Sequence, residues 1–186
     1  MIETTIVKTA KIGEPAPSFN LPSTKNLDTL SENLSLEEYR GRWVMLFFWP
    51  YDFTTVCPTE IMAFNESVGT FRDLKCDIIG ASVDSVYTHK AWMNTPRDQG
   101  GIGLIRYPMV SDFTKETARA YGVLDEKTGA AHRGLFIIDP EGIIRYQVVT
   151  DMNVGRSVEE TIRILEALQS GGLCPINWRK GDKTLG

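Results

Sequence analysis

The sequence predicts an α/β fold in which a central mixed sheet is flanked by helices. Residues 43–49 form a continuous apolar run that ends at Pro50, as in a central strand buried on both faces. The segments that follow, up to residue 94, alternate between helix and strand patterns. The second half instead carries a hairpin pattern around the turn at residues 139–142, which adds antiparallel strands to the sheet.

Length and composition indicate one globular unit. The chain has 186 residues, of which 42% are hydrophobic and 24% charged, so we expect a single domain over residues 1–186 with a tail from about residue 171. The net charge is −4 and the basic residues are scattered, which argues against a nucleic-acid partner. No apolar run approaches the ~20 residues of a membrane helix, and the N-terminus lacks a signal-peptide pattern, so we expect a cytosolic protein without a membrane partner.

The first half predicts a parallel crossover. Residues 58–74 read as an amphipathic helix, with Pro58 suited to its first turn. Apolar residues recur in it at three- and four-residue spacing: Ile61, Phe64, Val68 and Phe71. Residues 77–83 predict a second strand and residues 86–94 a second helix, so the order is β, α, β, α with right-handed connections.

The second half predicts a hairpin followed by a closing helix. The hairpin strands are residues 134–138 and 143–150. The last helix begins with a capping box from Ser157 to Glu160 and ends at Gly171. Its apolar stripe consists of Val158, Ile162, Leu165 and Leu168. A parallel βαβ half joined to a ββα half is the order of the thioredoxin-like fold.

Cys57 is the leading candidate for chemistry. It follows Pro50 by seven residues and directly precedes Pro58, which places it in the first turn of a helix. The free N–H groups and the dipole at a helix start favour a thiolate. Thr54, three residues upstream, could reach the sulfur or a bound oxygen with its hydroxyl. By themselves, these residues are equally consistent with a buried apolar cysteine and an ordinary capping threonine.

The cysteine spacing excludes several classes of protein. The three cysteines, Cys57, Cys76 and Cys174, include no close pair, which fits neither a secreted disulfide framework nor a CxxC motif. Cys76 precedes a strand and is expected to pack as a small apolar residue, whereas Cys174 lies beyond the last helix. No metal-ligand cluster, GxGxxG or P-loop motif occurs, so no cofactor is predicted.

Residues 50–60, Pro-Tyr-Asp-Phe-Thr-Thr-Val-Cys-Pro-Thr-Glu, resemble the active-site signature of the peroxiredoxins. Further matching segments are residues 80–85, 88–92, 133–139, 155–157 and 172–175. The resemblance covers nearly the whole chain and is to the typical two-cysteine members, the alkyl hydroperoxide reductase C and thiol-specific antioxidant group. It implies a peroxidase with the thioredoxin-like fold.

Carried over to this sequence, the resemblance implies a role for each matching residue. Cys57 would be the peroxidatic nucleophile, Pro50 would shield it from water, and Thr54 would hydrogen-bond the peroxide. Arg133 would be a cation near the sulfur, where it would stabilise the thiolate and the charge that develops on the peroxide oxygens. Arg156 and Glu60 have similar but weaker cases.

The resemblance also implies how the oxidised sulfur is recycled. Cys174 would resolve it as a disulfide, with Cys57 of a partner subunit. Hydroperoxides would be the substrates, and thioredoxin or a flavoprotein disulfide reductase would supply electrons. Homodimers would form through an edge strand, for which residues 143–150 are the candidate, and would assemble into a decamer.

Three other functions compete with this interpretation. A dithiol oxidoreductase would need adjacent cysteines, which the chain lacks. A cysteine hydrolase would need a histidine base, and a dyad of Cys57 with His132 stays open at this stage, although His132 is better explained as a solvent-facing residue and His89 as a helix-packing one. A holdase chaperone or redox-relay protein on the same fold is the third alternative.

Overall fold

The computed structural model describes residues 9–185. Its strands are β1 (Asn20–Pro22), β2 (Asn33–Ser35), β3 (Trp43–Phe48), β4 (Cys76–Ser82), β5 (Met109–Ser111), β6 (Arg133–Ile138) and β7 (Ile144–Thr150). Its α-helices are α1 (Cys57–Glu66), α2 (Val68–Asp73), α3 (Val86–Asn94), α4 (Glu116–Ala120) and α5 (Val158–Ser170). Short 3₁₀ helices lie at Leu36–Tyr39 and Arg97–Gln99. No helix among these residues is long and apolar enough to span a membrane.

Five strands form one mixed sheet in the order β5-β4-β3-β6-β7. Strand β3 lies at its centre, parallel to β4 and antiparallel to β6. Strand β5 continues the parallel half, and β7 continues the antiparallel half. The predicted mixed sheet and the central position of residues 43–49 are confirmed. Strands β1 and β2 pair separately as a small antiparallel hairpin, which the sequence patterns did not indicate.

The apolar run of β3 supplies both faces of the sheet. Met45, Phe47 and the following Trp49 belong to one hydrophobic cluster, which includes residues of α1, α3 and α5. Leu46 and Phe48 point the other way, into a second cluster. All five side chains are fully buried, and burying one such side chain stabilises the fold by roughly 1.5–3 kcal/mol. Strand β3 therefore fixes the sheet from which the site is built.

The helix predicted over residues 58–74 is in fact two helices. It begins one residue earlier, at Cys57, and is interrupted at Ser67, whose backbone has φ −90° and ψ 3°. The Ser67 N–H is shared between the carbonyls of Ala63 and Phe64, at 3.2 and 3.1 Å, so the last turn of α1 tightens where the helix is interrupted. The predicted apolar stripe is nevertheless buried on both segments.

The predicted hairpin and closing helix are present. In the connecting turn, Gly142 has φ +80° and its N–H donates to the carbonyl of Asp139 at 2.8 Å. At the start of α5, the hydroxyl of Ser157 accepts the N–H of Glu160 at 3.1 Å. The carboxylate of Glu160 is bound by Arg163 at 2.7 Å, so the serine half of the capping box is present and the glutamate serves an ion pair.

Strand β7 is one edge of the five-stranded sheet. Its first residue is covered on the outer side by the segment at residues 13–16, because Ile144 exchanges backbone hydrogen bonds with Gly13 and Glu14. Along the rest of β7, half-buried and exposed side chains alternate. The outer edge of the strand beyond Ile144 is therefore where a further strand could pair.

Candidate active site

Cys57 is the first residue of α1, as the sequence predicts. Its side chain is fully buried, and Pro58 occupies the first helical turn. The capping residue, Val56, makes no side-chain hydrogen bond to the helix start. The thiol thus lies where backbone N–H groups converge, and the helix dipole there favours negative charge.

Arg133 meets Cys57 across the sheet. It is the first residue of β6, which runs antiparallel to β3 and so brings its beginning to the end of β3, near the start of α1. The Nη1 of Arg133 lies 3.3 Å from the sulfur of Cys57 and donates to it. Its Nε donates to the carbonyl of Met152 at 2.7 Å. The guanidinium is only 3% exposed, so it acts on the thiol with little solvent screening.

Glu60 holds two arginines around the thiol. One carboxylate oxygen accepts from Arg133 Nη1 at 2.6 Å, and Arg156 binds both oxygens through Nε and Nη2 at 2.7 and 2.9 Å. The backbone N–H of Arg156 adds a further bond at 2.7 Å. All three side chains are nearly inaccessible to solvent. Arg156, which the sequence ranked below Arg133, is thus a central member of the cluster.

The charges around Glu60 decide its protonation. Burial raises its pKa, but the hydrogen bonds and positive charge of Arg156, together with the charge of Arg133, outweigh burial and hold the pKa below its usual value. The group is therefore a carboxylate at neutral pH. Two guanidinium groups balanced by one carboxylate leave the cluster with excess positive charge beside the sulfur of Cys57.

Pro50 and Thr54 lie on the loop between β3 and α1. Pro50 is buried directly after Trp49, the last residue of the apolar run. Thr54 is exposed, and its hydroxyl donates to the carbonyl of Tyr51 at 3.0 Å. Among the hydrogen bonds of residues 9–185, the Thr54 hydroxyl has none to Cys57. Because a hydroxyl also accepts, its oxygen keeps lone pairs free for a donor from a ligand.

A buried hydrogen bond that the sequence patterns did not indicate joins the same loop to α3. His89 of α3 lies with Nδ1 2.6 Å from the carboxylate of Asp52, and both side chains are almost wholly inaccessible. The second oxygen of Asp52 accepts the indole N–H of Trp49 at 2.8 Å. His89 is buried on α3, as expected for a helix-packing residue, but its bond to Asp52 was not predicted. The available signal was its position three residues from both Val86 and Trp92, on the buried face of α3.

The histidine dyad considered above is not formed. Within the described chain, Cys57 has Arg133 as its side-chain hydrogen-bond partner and neither histidine contacts it. His132 is half-buried, not fully solvent-facing, and its backbone N–H donates to the carbonyl of Val123 at 2.7 Å. His89 is committed to Asp52.

The other two cysteines lie apart from this cluster. Cys76 is buried in the core at the start of β4, as predicted. Burial and the charge of Asp77 raise the pKa of its thiol well above the ordinary value, although a backbone hydrogen bond from Met45 opposes them. Cys174 is half-buried after α5, with its sulfur 3.3 Å from the hydroxyl of Ser170. All three cysteines are free thiols.

The C-terminal tail is folded back on α5. The side chain of Trp178 is 5% exposed, and its carbonyl accepts from Arg163 Nη1 at 2.9 Å. The N–H of Leu185 donates to the carbonyl of Leu173 at 2.8 Å. The segment that carries Cys174 is therefore anchored to α5 in this state.

Known proteins resemble this chain closely. A family model described as the AhpC/TSA family matches residues 12–147. Peroxiredoxin 2 of Drosophila melanogaster is 48% identical over 94% of this chain and 91% of its own length, and peroxiredoxin-2 of Rattus norvegicus is 47% identical over 95% and 90%. The reduced 2-Cys peroxiredoxin of Plasmodium vivax superposes with a TM-score of 0.89 at 38% identity, covering 93% of this chain and 91% of that one. AhpC of Mycobacterium tuberculosis gives 0.80 at 37%, covering 92% and 99%.

The fold and the buried thiol beside a guanidinium, taken with these relatives, define the class: a thiol-dependent peroxidase of the thioredoxin-like fold. The chain belongs to the AhpC/TSA family of peroxiredoxins. It is an enzyme whose substrate is a peroxide and whose reductant is a thiol. The fold class and the general activity implied by residues 50–60 are thereby confirmed.

Proposed function

We propose that Cys57 is the nucleophile of this peroxidase. Its thiolate sulfur bonds to one peroxide oxygen as the O–O bond breaks, and the other oxygen leaves with the bonding electrons as hydroxide or alkoxide and takes up a proton. The sulfur is oxidised to a sulfenic acid, and the peroxide is reduced to water or an alcohol. The observation that carries this proposal is the 3.3 Å contact between Arg133 Nη1 and the Cys57 sulfur.

Arg133 stabilises charge at two stages of this reaction. Before attack it favours the thiolate, and during attack it stabilises the negative charge that spreads over the breaking O–O bond. Glu60 and Arg156 are positioning residues, because their bidentate pair fixes the guanidinium of Arg133 against the sulfur. A buried network in which every group is bonded holds such geometry more rigidly than one isolated pair.

Pro50 and Thr54 prepare the loop for substrate. Pro50 is buried beside the thiol-bearing segment and lacks an N–H, so it excludes water without offering a competing donor. The Thr54 hydroxyl donates its hydrogen to the Tyr51 carbonyl. The lone pairs of the hydroxyl oxygen are therefore available to accept a hydrogen bond from the peroxide O–H. The peroxide thus approaches through the exposed part of this loop.

Cys174 resolves the sulfenic acid as a disulfide with release of water. Because Cys57 is fully buried and the tail is anchored, the first turn of α1 and the tail must both open before the two sulfurs meet at bonding distance. A thioredoxin-type or flavoprotein disulfide reductase then restores both thiols. The disulfide would link Cys57 to Cys174 of a partner subunit.

The partner subunit would pair along β7. This strand ends the sheet, and its outer edge is open beyond Ile144. Pairing of two such edges would join the sheets of a homodimer. A decamer of these dimers, a cytosolic location and a single domain over residues 1–186 stay predictions from the sequence.

Rapid mixing tests the proposal. Reduced protein is mixed with one equivalent of hydrogen peroxide, and peroxide loss is followed by stopped flow in the wild type, Cys57→Ser, Cys174→Ser and Cys76→Ser. Fast peroxide loss should require Cys57 alone, and disulfide formation should require both Cys57 and Cys174. Fast loss in Cys57→Ser would assign the chemistry to another residue.

Subunit exchange separates the two possible pairings. Cys57→Ser and Cys174→Ser proteins are mixed, allowed to exchange subunits and oxidised with peroxide. Pairing between subunits predicts a covalent dimer with one disulfide that links a Cys57 peptide to a Cys174 peptide in mass spectrometry. If the pairing is within one subunit, the mixture gives no such crosslink.

A further inference from the structure

A cavity lies at the other end of the sheet from Cys57. It has a volume of about 360 Å³ and is found where the three parallel strands begin. Arg42 precedes β3, Lys75 precedes β4, and Arg106 lies in the segment that enters β5. Cys57, in contrast, lies beyond the end of β3. The cavity is thus separate from the peroxidase site.

Positive charge dominates the lining of this cavity. The strand entries contribute Arg42, Lys75 and Arg106, and the last turn of α2 adds Arg72. The lining contains one carboxylate, Asp77, and Arg42 already binds it at 2.8 Å. The whole chain carries a net charge of −4, so this concentration of cations runs against the overall charge. A concave surface of one sign concentrates ions of the opposite sign.

Two of these cations are uncommitted. Among residues 9–185, the side chains of Arg72 and Lys75 have no ion pair or hydrogen bond, and both residues are exposed at the cavity. Arg106, in contrast, also donates to the backbone carbonyl of Asn65 at the end of α1. Arg72 and Lys75 are therefore free to bind a ligand without breaking an existing contact.

The remaining walls suit a small molecule. Tyr39, Val68 and Tyr107 line the cavity with aromatic and aliphatic surface. Burial and the nearby charge of Asp77 raise the pKa of Tyr39 to about 12, so its phenol stays neutral and can donate a hydrogen bond. Cavities of roughly 300–1,000 Å³ with a few convergent polar groups are typical small-ligand sites. A nucleic acid would instead need an extended basic stripe.

We propose that this cavity binds a small anion with two or more phosphate groups, and that Arg72 and Lys75 are its principal contacts. Guanidinium groups bind phosphate oxygens through paired N–H donors, and an ammonium group adds a point charge. Both a free oligophosphate and a nucleotide carry this chemistry. The site is independent of the proposed role of Cys57, because none of its contacts belongs to the peroxidase cluster.

Calorimetric titration of the full-length reduced protein tests the proposal, with tripolyphosphate, ADP and inorganic phosphate as probes. The test variant is Arg72→Gln/Lys75→Gly. Lys75 has φ +53°, which glycine adopts without strain, so this change removes the charge and relaxes the backbone. The matched control is Lys11→Gln/Lys127→Gln, which removes two charges from exposed residues outside the cavity lining.

Tripolyphosphate or ADP should bind more tightly than inorganic phosphate, and roughly 10-fold or more of that affinity should be lost in the test variant but kept in the control. Tighter binding of ADP than of tripolyphosphate would identify a nucleotide as the ligand. Peroxide reduction should be unchanged in both variants, which shows that the fold is intact. The proposal is overturned if neither probe binds better than phosphate, or if both double variants lose affinity equally.

Discussion

His89 Nδ1 lies 2.6 Å from the carboxylate of Asp52, inside the protein and directly behind the loop that leads to Cys57. The other ring nitrogen, Nε2, faces the carbonyl of Val110 at 3.2 Å. Both ring nitrogens thus lie within hydrogen-bonding distance of an oxygen. Asp52 is also fixed through its backbone N–H, which donates to Asp84 at 2.9 Å. The pair anchors the active-site loop to α3 and to the end of β4.

Breaking this pair should destabilise the protein and slow peroxide reduction. His89→Gln or Asp52→Asn disrupts the hydrogen bond between the two buried side chains, and we expect a loss of roughly 1–3 kcal/mol in the free energy of unfolding. The double variant should lose less than the sum of the two single changes. Urea unfolding measures the first effect, and stopped-flow peroxide loss measures the second. His132→Gln serves as the control, and additive losses would contradict direct coupling.

Arg133 should be irreplaceable even by lysine. A lysine at this position cannot reach the sulfur of Cys57, the carboxylate of Glu60 and the carbonyl of Met152 together, as the guanidinium does. We expect Arg133→Lys to lower the rate constant of peroxide reduction by about 10²–10³-fold. Single-turnover stopped flow provides the measurement, with Arg119→Gln, which removes a half-buried arginine paired with Glu126, as the control. A loss below threefold would exclude Arg133 from transition-state stabilisation.

Glu60 should make the stability of the folded protein vary with pH in the acidic range. Its pKa is lower in the folded protein than the ordinary 4.5, so its contribution is present above that value and is lost as the pH falls through the lower, folded pKa. At pH 7, Glu60→Gln should therefore unfold at lower urea concentration than the wild type. The difference between the two proteins should shrink below pH 4.5, and a gap that is constant with pH would contradict the argument.

The thiol of Cys76 should be unreactive in the folded protein. Its thiol is buried, and its raised pKa keeps it protonated at neutral pH, whereas only thiolates react readily with electrophiles. In a Cys57→Ser/Cys174→Ser protein, we expect no reaction with a thiol reagent in the native state and one thiol per chain after unfolding. Rapid labelling of the native protein would contradict this prediction, because it would show that the start of β4 unfolds locally at a small cost in free energy.

Trp178 should control the rate of disulfide formation. Its buried ring and its contact with Arg163 anchor the tail that carries Cys174. Trp178→Ala lowers the cost of releasing this tail, so the disulfide should form several-fold faster after oxidation, while the first peroxide step is unchanged. Two-phase stopped flow separates the steps, and the exposed Lys183→Gln is the control. An unchanged second phase would place the rate limit in the opening of α1.

The sequence by itself determined the sheet centre and the position of Cys57 at a helix start. Residues 43–49 are apolar without interruption, and only a strand covered on both faces accommodates that pattern. Cys57 before Pro58 marks a helix start because both features are local along the chain. The short strands β1, β2 and β5 carry three residues each, too few for any periodicity, so they emerge only from pairing with distant segments.

The tertiary structure alone decided which charges meet. Arg133 and Arg156 lie 76 and 96 residues from the groups they contact in α1, and Asp52 lies 37 residues from His89. The spacing of neighbouring residues along the sequence does not indicate such contacts, because they depend on antiparallel pairing of β6 with β3 and on packing of α3 against the sheet. The resemblance placed Arg133 near the sulfur, but no sequence pattern indicated that His89 lies beside Asp52. A local feature such as a helix start can be recognised from consecutive residues. The partner of a buried charge is instead set by the tertiary fold, which excludes water from the charge and from its partner.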